Sequence, residues 1–249
     1  MSSAPSHPLT PFSFTIQIGN DALSFSGSLP DGECSITEII PLLLSLGEGI
    51  VSAAIRQVPS GKSVSCGPGC GACCRQLVPI SLSEAAYLRQ IVLPELKPDH
   101  RQRVEERLAI AAASLSSADL FTPLRELPQE SKPESRQAVG LRYFLQSIPC
   151  PFLENESCSI HPMRPLACRE YLVTSPAPHC AQPDKEHVAP VPIPQKPSHA
   201  LIQLDAAATG TAGWQTMITA LLDDSAPNVR TIDNPVEFLK NFLSHLLKP

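Results

Sequence analysis

Apolar and polar residues alternate in two short runs near the start of the chain, FTIQI (14–18) and ALSFSGSL (22–29), on either side of a Gly-Asn-Asp turn. This pattern predicts a β-hairpin. Ser35 and Glu38 then form a capping-box pattern, and the isoleucines and leucines after them recur at helical spacing. We therefore expect a helix over 36–57.

Helical spacing returns several times along the rest of the chain. It predicts further helices over 81–94, 98–118, 135–147, 199–222 (interrupted by two glycines) and 234–247. Two proline-rich segments separate them: 119–134 is expected to be an exposed loop, and 176–197, with seven prolines, an extended segment. The expected fold class is mainly α with a small N-terminal β-hairpin, in a chain rich in loops and proline.

Composition divides the chain into three expected regions. Residues 1–59 contain the β-hairpin and the first helix, residues 60–182 form a cysteine-cluster metal-binding domain, and residues 183–249 form a Pro-rich linker and the C-terminal helices. Proline accounts for 27 of the 249 residues, which is about twice the average usage of roughly 5%. Much of the chain must therefore lie outside regular helices and strands.

The charge of the chain excludes one class of partner. Lys and Arg number 19 and Asp and Glu 24, so the net charge is −5, and a basic nucleic-acid-binding surface is not expected. No uninterrupted apolar run reaches the ~18 residues that a membrane span needs, and the N-terminus lacks the pattern of a secretory signal. We expect a cytoplasmic protein that binds neither nucleic acid nor membrane.

Cysteine carries the chemical information in this sequence. Seven cysteines in two groups are the predicted metal ligands: Cys66, Cys70, Cys73 and Cys74, then Cys150, Cys158 and Cys168. Thiolates select zinc, Cu(I) or iron–sulfur centres, and glycines between the first four allow several sulfurs to face one centre. We expect helix 135–147 to bring the two groups together. Cys180 is a candidate eighth ligand, and the isolated Cys34 is expected to be an inert buried residue.

Three other readings of the cysteines stay open at this stage. They could be reduced core residues, a disulfide framework, or a structural zinc site that only holds the fold. A reducing cytoplasm argues against disulfides. Structural zinc prefers two C-x2-C pairs, and this chain has only Cys70/Cys73. The uneven spacing is closer to iron–sulfur ligation, so the metal is expected to be a [4Fe–4S] cluster or zinc.

Several polar residues beside the cysteines are secondary candidates. Arg164 and Arg169 are expected to contribute to cofactor binding, with guanidinium groups that lie beside the thiolates and offset their negative charge. His161 and His179 are candidate nitrogen ligands. Glu170 and Tyr171 could act as an acid or a base near the site, but the sequence pairs neither of them with a base or a nucleophile.

Two motifs in this region resemble a known family. The segments CGPGCGACCRQ and CPFLENESCSIHPMRPLACREY are similar to the YkgJ-type CxxCxxCC cysteine-cluster family, whose members are described as zinc- or iron-chelating proteins and often as iron–sulfur cluster oxidoreductases. The resemblance covers about residues 60–182. The chain departs from the family pattern at two places: three residues separate Cys66 from Cys70 where the family has two, and His161 stands where tyrosine is usual.

The expected function is that of a cytosolic protein that holds an iron–sulfur or zinc centre through its clustered cysteines, with a redox or oxidoreductase role. Two alternatives remain. One is a non-catalytic zinc-stabilised module that binds an unidentified protein partner. The other is a metal-dependent methyltransferase-like protein, which enters because flagellin lysine N-methylases carry a similar cysteine cluster. No residue in the sequence is identifiable as a catalytic acid, base or nucleophile.

Overall fold

The hairpin and helices expected from the sequence form the frame of the molecule. A computed structural model describes residues 8–182, 186–223, 225 and 229–248. It is 53% helical and has a β-hairpin at its N-terminal end, which confirms the mainly α fold class.

Eight short strands make four two-stranded antiparallel sheets in the described residues. The strands are β1 (Leu9–Ile18), β2 (Asp21–Pro30), β3 (Cys34–Ser35), β4 (Pro79–Ser81), β5 (Leu153–Glu154), β6 (Ser157–Cys158), β7 (Trp214–Thr216) and β8 (Thr231–Ile232). The pairs are β1–β2, β3–β8, β4–β7 and β5–β6. The pairs β3–β8 and β4–β7 join the first third of the chain to its last quarter.

The helices of the described residues are α1 (Ile36–Arg56), α2 (Leu82–Tyr87), α3 (Leu93–Glu95), α4 (Pro98–Ser117), α5 (Phe121–Glu126), α6 (Pro133–Leu145), α7 (Leu166–Glu170), α8 (Pro197–Thr209), α9 (Met217–Leu222) and α10 (Pro235–Leu246). One π-helical turn, Leu88–Val92, joins α2 to α3. Short 3-10 turns lie at Ala72–Arg75, Leu127–Gln129, His161–Met163 and Ala177–Ala181.

The central helix of the fold is α1. Ser35 caps it, and the Glu38 carboxylate accepts a hydrogen bond from the Ser35 N–H at 2.9 Å, as the capping-box pattern predicts. Twelve of its 21 residues are buried, and it packs against the hairpin, α2, α7 and α8. Its length and composition alone would allow it to cross a membrane, but this burial gives it the role of a core helix.

Two expectations about proline-rich segments were wrong. Residues 119–134 contain α5 and a 3-10 turn instead of an exposed loop, because Leu120, Leu124 and Leu127 recur at helical spacing and are buried. Pro123 lies in the first turn of α5, where its missing N–H costs no helical hydrogen bond. The segment 176–197 also includes the 3-10 turn Ala177–Ala181.

The predicted helix over 199–222 is divided in two. Gly210, at φ +66°, ends α8 in the left-handed conformation that glycine adopts readily. The chain then forms β7, which pairs with β4, before α9 begins. A long-range strand pairing therefore replaces the middle of the expected helix.

One hydrophobic core contains residues from all three regions expected from composition. Gly47 of α1 lies against Leu166 of α7, where an added Cβ would come within 2.6 Å of the Leu166 side chain. Glu84 of α2 is buried, and its carboxylate accepts a hydrogen bond from the Leu166 N–H at 2.7 Å. These contacts fix α7 between α1 and α2. The predicted domain boundaries at residues 59 and 182 stay a prediction.

Candidate metal centre

The two cysteine groups meet at one cavity of about 690 Å³. Seven thiols line it: Cys66, Cys70, Cys73, Cys74, Cys150, Cys158 and Cys168. All nine cysteines of the chain are free, so the disulfide framework does not occur in this structure.

Glycine and a 3-10 turn shape the first group. Gly69 has φ +82°, and the Cys70 N–H donates to the Gly67 carbonyl at 3.1 Å in the turn between Cys66 and Cys70. Cys73 and Cys74 follow on the turn Ala72–Arg75. The segment is attached to the rest of the protein at its first cysteine, because the Val173 N–H donates to the Cys66 sulfur at 3.4 Å.

The second group is placed by the β5–β6 hairpin and by α7. Cys158 ends β6, and Cys168 lies on α7. The Cys150 N–H donates to the Cys74 carbonyl at 2.7 Å, which joins the two groups directly through the backbone. Helix α6 precedes Cys150, as predicted, but this backbone contact and the hairpin account for the convergence.

The β5–β6 hairpin is held on both sides. Arg103 and Arg107 of α4 bind the Glu154 carboxylate at 2.9 and 2.5 Å, and their hydrogen bonds, that of Arg103 first, lower the Glu154 pKa to about 2. On the other side, the Gly69 N–H donates to the Ser157 hydroxyl at 3.0 Å. The hairpin thereby connects α4 to the loop of the first cysteine group.

Burial keeps most of the thiols protonated in the absence of metal. It raises the pKa of Cys66, Cys158 and Cys168 and brings that of Cys150 to about 12, and neighbouring thiols add to the effect. The pKa of Cys73 is also raised, mainly by its hydrogen bond with Cys74 and then by burial. Metal binding must therefore release protons.

Hydrogen bonds from backbone N–H groups lower the pKa of three of these thiols and so oppose the effect of burial. N–H groups of Phe152, Ile160 and Val173 hydrogen-bond the sulfurs of Cys150, Cys158 and Cys66 and lower the pKa of each. Such N–H to sulfur bonds favour the thiolate and tune the affinity and potential of a centre bound to it.

The two predicted arginines have different surroundings. Arg164 lines the cavity and lowers the pKa of Cys66, Cys73 and Cys158 by its charge. Its Nε is buried and has no hydrogen-bond partner among the described residues. Arg169 does not line the cavity, and its side chain is only 6% exposed. It donates to the Glu48 carboxylate at 2.6 Å and to the Pro162 and Arg164 carbonyls at 2.5 and 3.0 Å, so it positions the segment that carries Arg164.

Of the remaining candidate ligands, His161 lies at the cavity, whereas His179 and Cys180 do not line it. His161 lines the cavity, whereas the His179 ring nitrogen Nδ1 is hydrogen-bonded to the His187 carbonyl at 2.9 Å. Cys180 is buried outside the cavity wall, beside Tyr171. Cys34 is buried in the main core, where burial raises its pKa to about 11.

Part of the cavity wall was not predicted. Leu77, Val78, Lys196, Ser198 and Met217 line it together with the cysteines. These residues carry no motif. The pairing of β4 with β7 and the hydrogen bond from the Met217 N–H to the Val78 carbonyl hold Val78 and Met217 together, whereas Lys196 and Ser198 lie at the start of α8. Glu170 also lines it, with its carboxylate accepting hydrogen bonds from the Ser198 N–H and hydroxyl at 2.8 and 2.6 Å, and burial raises its pKa to about 7.

The donor chemistry fits a thiolate-bound metal, but the thiols are not preassembled. Within residues 8–182, 186–223, 225 and 229–248, no three Cys, His, Asp or Glu side chains are arranged to hold one metal ion. The thiols line a cavity of about 690 Å³, which is wider than a single ion.

Comparison with known proteins agrees with this donor set. A family model, CxxCxxCC, described as "Putative zinc- or iron-chelating domain", matches residues 65–188, about half of the chain. No curated protein and no solved structure matches the chain. All seven cysteines of the cavity lie inside the matched segment. The chain therefore belongs to the CxxCxxCC family of zinc- or iron-chelating domains.

Proposed function

We propose that this protein holds an iron–sulfur cluster, of the [4Fe–4S] type, in the cysteine-lined cavity and uses it for electron transfer. One observation carries the proposal: seven free thiols from two distant segments surround a single cavity of about 690 Å³. Structural zinc takes four ligands at Zn–S distances of about 2.3 Å. A [4Fe–4S] cluster also takes four thiolates but is larger than one ion, so the width of the cavity suits a polynuclear centre better than a single zinc ion.

Residues of the chain supply the groups that such a centre needs. The thiolates of the two cysteine groups would hold it, and it would supply one-electron redox chemistry when bound. The N–H groups of Phe152, Ile160 and Val173 donate to sulfur, and the Arg164 guanidinium offsets negative charge beside Cys66, Cys73 and Cys158. Both effects favour ionised thiols and raise the reduction potential of the site.

We expect the loop from Cys66 to Cys70 to move when metal binds. It contains two glycines and one proline, Gly67, Pro68 and Gly69. Two hydrogen bonds join it to the rest of the described chain: from the Val173 N–H to the Cys66 sulfur and from the Gly69 N–H to the Ser157 hydroxyl. The second group is held by α4, α7 and the β5–β6 hairpin. We therefore propose that metal binding closes this loop onto the second group.

We also propose that the protein works in the cytoplasm. Nine free cysteines, seven of them facing one cavity, suit a reducing compartment, because oxidising compartments convert close thiols to disulfides.

The test is the metal content of protein purified without oxygen. We expect a brown sample with broad visible absorption and several iron and sulfide ions per chain. A Cys34→Ala variant, which changes a cysteine of the main core, is expected to retain the same iron content. A colourless sample with one zinc ion per chain and no sulfide would instead identify a zinc-binding module.

A further inference from the structure

The wall of the cavity includes residues other than the thiols. The total volume of about 690 Å³ lies within the range of roughly 300–1,000 Å³ that is typical of small-molecule sites. Leu77, Val78 and Met217 contribute apolar side chains to the wall, and Lys196, which lies just before α8, also lines it. A metal centre held by the cysteines has no use for these residues.

Arg164 brings an unsatisfied donor to the same cavity. Its Nε is buried without a hydrogen-bond partner, and no acceptor or ion-pair partner contacts its guanidinium within the described ranges of the chain. A buried donor without an acceptor is costly, and few remain in folded proteins. Because Arg164 lines the cavity, its guanidinium can meet an acceptor that enters from outside the protein, in addition to the thiolates whose charge it offsets.

Two cations line the cavity without a hydrogen bond or ion pair to their side chains among the described residues: Arg164 and Lys196. Glu156 also lines the wall, but Arg75 binds its carboxylate with two hydrogen bonds at 3.0 and 2.8 Å. The Glu170 carboxylate accepts two hydrogen bonds from Ser198, and the charge of Lys196 lowers its pKa.

We propose that the cavity binds a small organic anion, whose carboxylate or phosphate group is held by Arg164 and Lys196 and whose apolar body packs against Leu77, Val78 and Met217. The inference rests on the proposed function, because the metal centre would occupy the space between the thiols and leave the rest of the cavity to the anion. A guanidinium has five donors, so Arg164 can serve the thiolates and the anion together. The anion would then lie next to a redox centre, as a substrate or an effector does.

Calorimetric titration of the metal-loaded protein tests the proposal. The probes are hexanoate, hexyl phosphate, acetate and the neutral hexanamide. We expect hexanoate or hexyl phosphate to bind at least about tenfold more tightly than acetate, which lacks the apolar body, and hexanamide to show no measurable binding. The tighter of the two long anions identifies the headgroup.

Metal content measured on the same samples separates this inference from the proposed function. A fully loaded sample that binds neither long anion overturns the inference and leaves the metal site in place. Anion binding by a sample that contains no metal upholds the inference and counts against the proposed function. Equal binding of hexanoate and hexanamide also overturns the inference.

Two charge-removing variants locate the anion. Lys196→Gln and Arg164→Gln are each expected to weaken hexanoate binding about tenfold. Lys240→Gln, at an exposed position of α10, is the matched control and is expected to leave binding unchanged. Arg164 lies close to the cysteines, so Lys196→Gln is decisive if Arg164→Gln loses metal. Unchanged hexanoate affinity in Lys196→Gln would contradict the proposed site.

Discussion

At the scale of single residues, the thiols differ in how firmly the protein holds them. Cys168 lies on α7, which is fixed between α1 and α2, and Cys150 is hydrogen-bonded to the backbone of Cys74. Cys70 lies in a glycine-rich turn instead. A ligand on a fixed element contributes to affinity without a cost of ordering, whereas a ligand in a loop must be ordered when metal binds.

Substitution of Cys70 or Cys73, two of the four cysteines in the first group, is expected to lower the metal content of the protein. Cys70→Ser and Cys73→Ser each remove a soft thiolate that a hydroxyl does not replace, and both should reduce bound metal and lower the melting temperature. Elemental analysis and thermal unfolding measure the two effects, with Cys34→Ala as the control for metal content. Metal content and melting temperature equal to those of the wild type in both serine variants would count against a ligand role.

At the scale of elements, the β5–β6 hairpin and the first cysteine loop depend on close packing. An added Cβ at Gly71 would lie 2.8 Å from the Leu153 side chain and 3.2 Å from the Glu156 backbone. Real Cβ atoms rarely approach neighbours so closely, and relief requires a movement of the hairpin that carries Cys158.

Gly71→Ala is therefore expected to destabilise the fold by about 1–3 kcal/mol and to lower metal content. Gly140→Ala in α6 is the matched control, because nothing lies within 4 Å of an added Cβ there, and it should stabilise the protein by about 0.5–1 kcal/mol. Chemical denaturation of both variants measures the difference. Equal stabilities for the two alanine variants would show that the close approach at Gly71 is unimportant.

The ion pairs of Glu154 with α4 predict a pH dependence. Its pKa is lowered to about 2, so the stabilisation is present above the unfolded pKa of roughly 4.3 and is lost as the pH falls through about 2. Glu154→Gln should cost about 1 kcal/mol at pH 7, a value that allows for screening by solvent.

Denaturation at pH 7 and at pH 3 tests this point. The difference in free energy of unfolding between Glu154→Gln and the wild type should shrink at pH 3. The Glu154 carboxyl of the unfolded chain, with a pKa of roughly 4.3, is then mostly protonated, whereas that of the folded protein stays ionised, so folding must remove a proton. Glu105→Gln, at an exposed position of α4, is the control and should show little difference at either pH. A difference that grows as the pH falls would contradict the assigned role of Glu154.

At the scale of the whole molecule, the core and the metal site are distinct sources of stability. The core includes residues of the hairpin, α1, α4, α8 and α10 that do not line the cavity. Removal of metal should therefore lower the melting temperature without unfolding the protein. Metal at 1,000 times its dissociation constant contributes about 4 kcal/mol.

Hydrogen exchange with and without metal locates this effect. We expect amides of the Cys66–Cys70 loop to lose the most protection when a chelator removes the metal, and amides of α1 to change little. Uniform loss of protection along the chain would mean that the metal holds the whole fold, as in small zinc domains.

Local sequence rules predicted the elements that depend on neighbouring residues. The caps at Ser35, Ser81 and Asn234 begin α1, α2 and α10 where the pattern indicated. The missed helix α5 depends on burial of Leu124 against other elements, which proline content does not reveal. The wall formed by Val78 and Met217 depends on the pairing of β4 with β7 across more than 130 residues, and no local pattern encodes that pairing.

A shared metal centre is tested most directly by a crystal structure of protein purified without oxygen, with anomalous diffraction recorded at the iron and zinc absorption edges. We expect an iron signal inside the cavity, with sulfurs of both cysteine groups about 2.3 Å from the metal atoms, as for a metal–thiolate bond. Separate metal positions for the two groups, or disulfide bonds between them with no metal signal, would contradict a single shared centre.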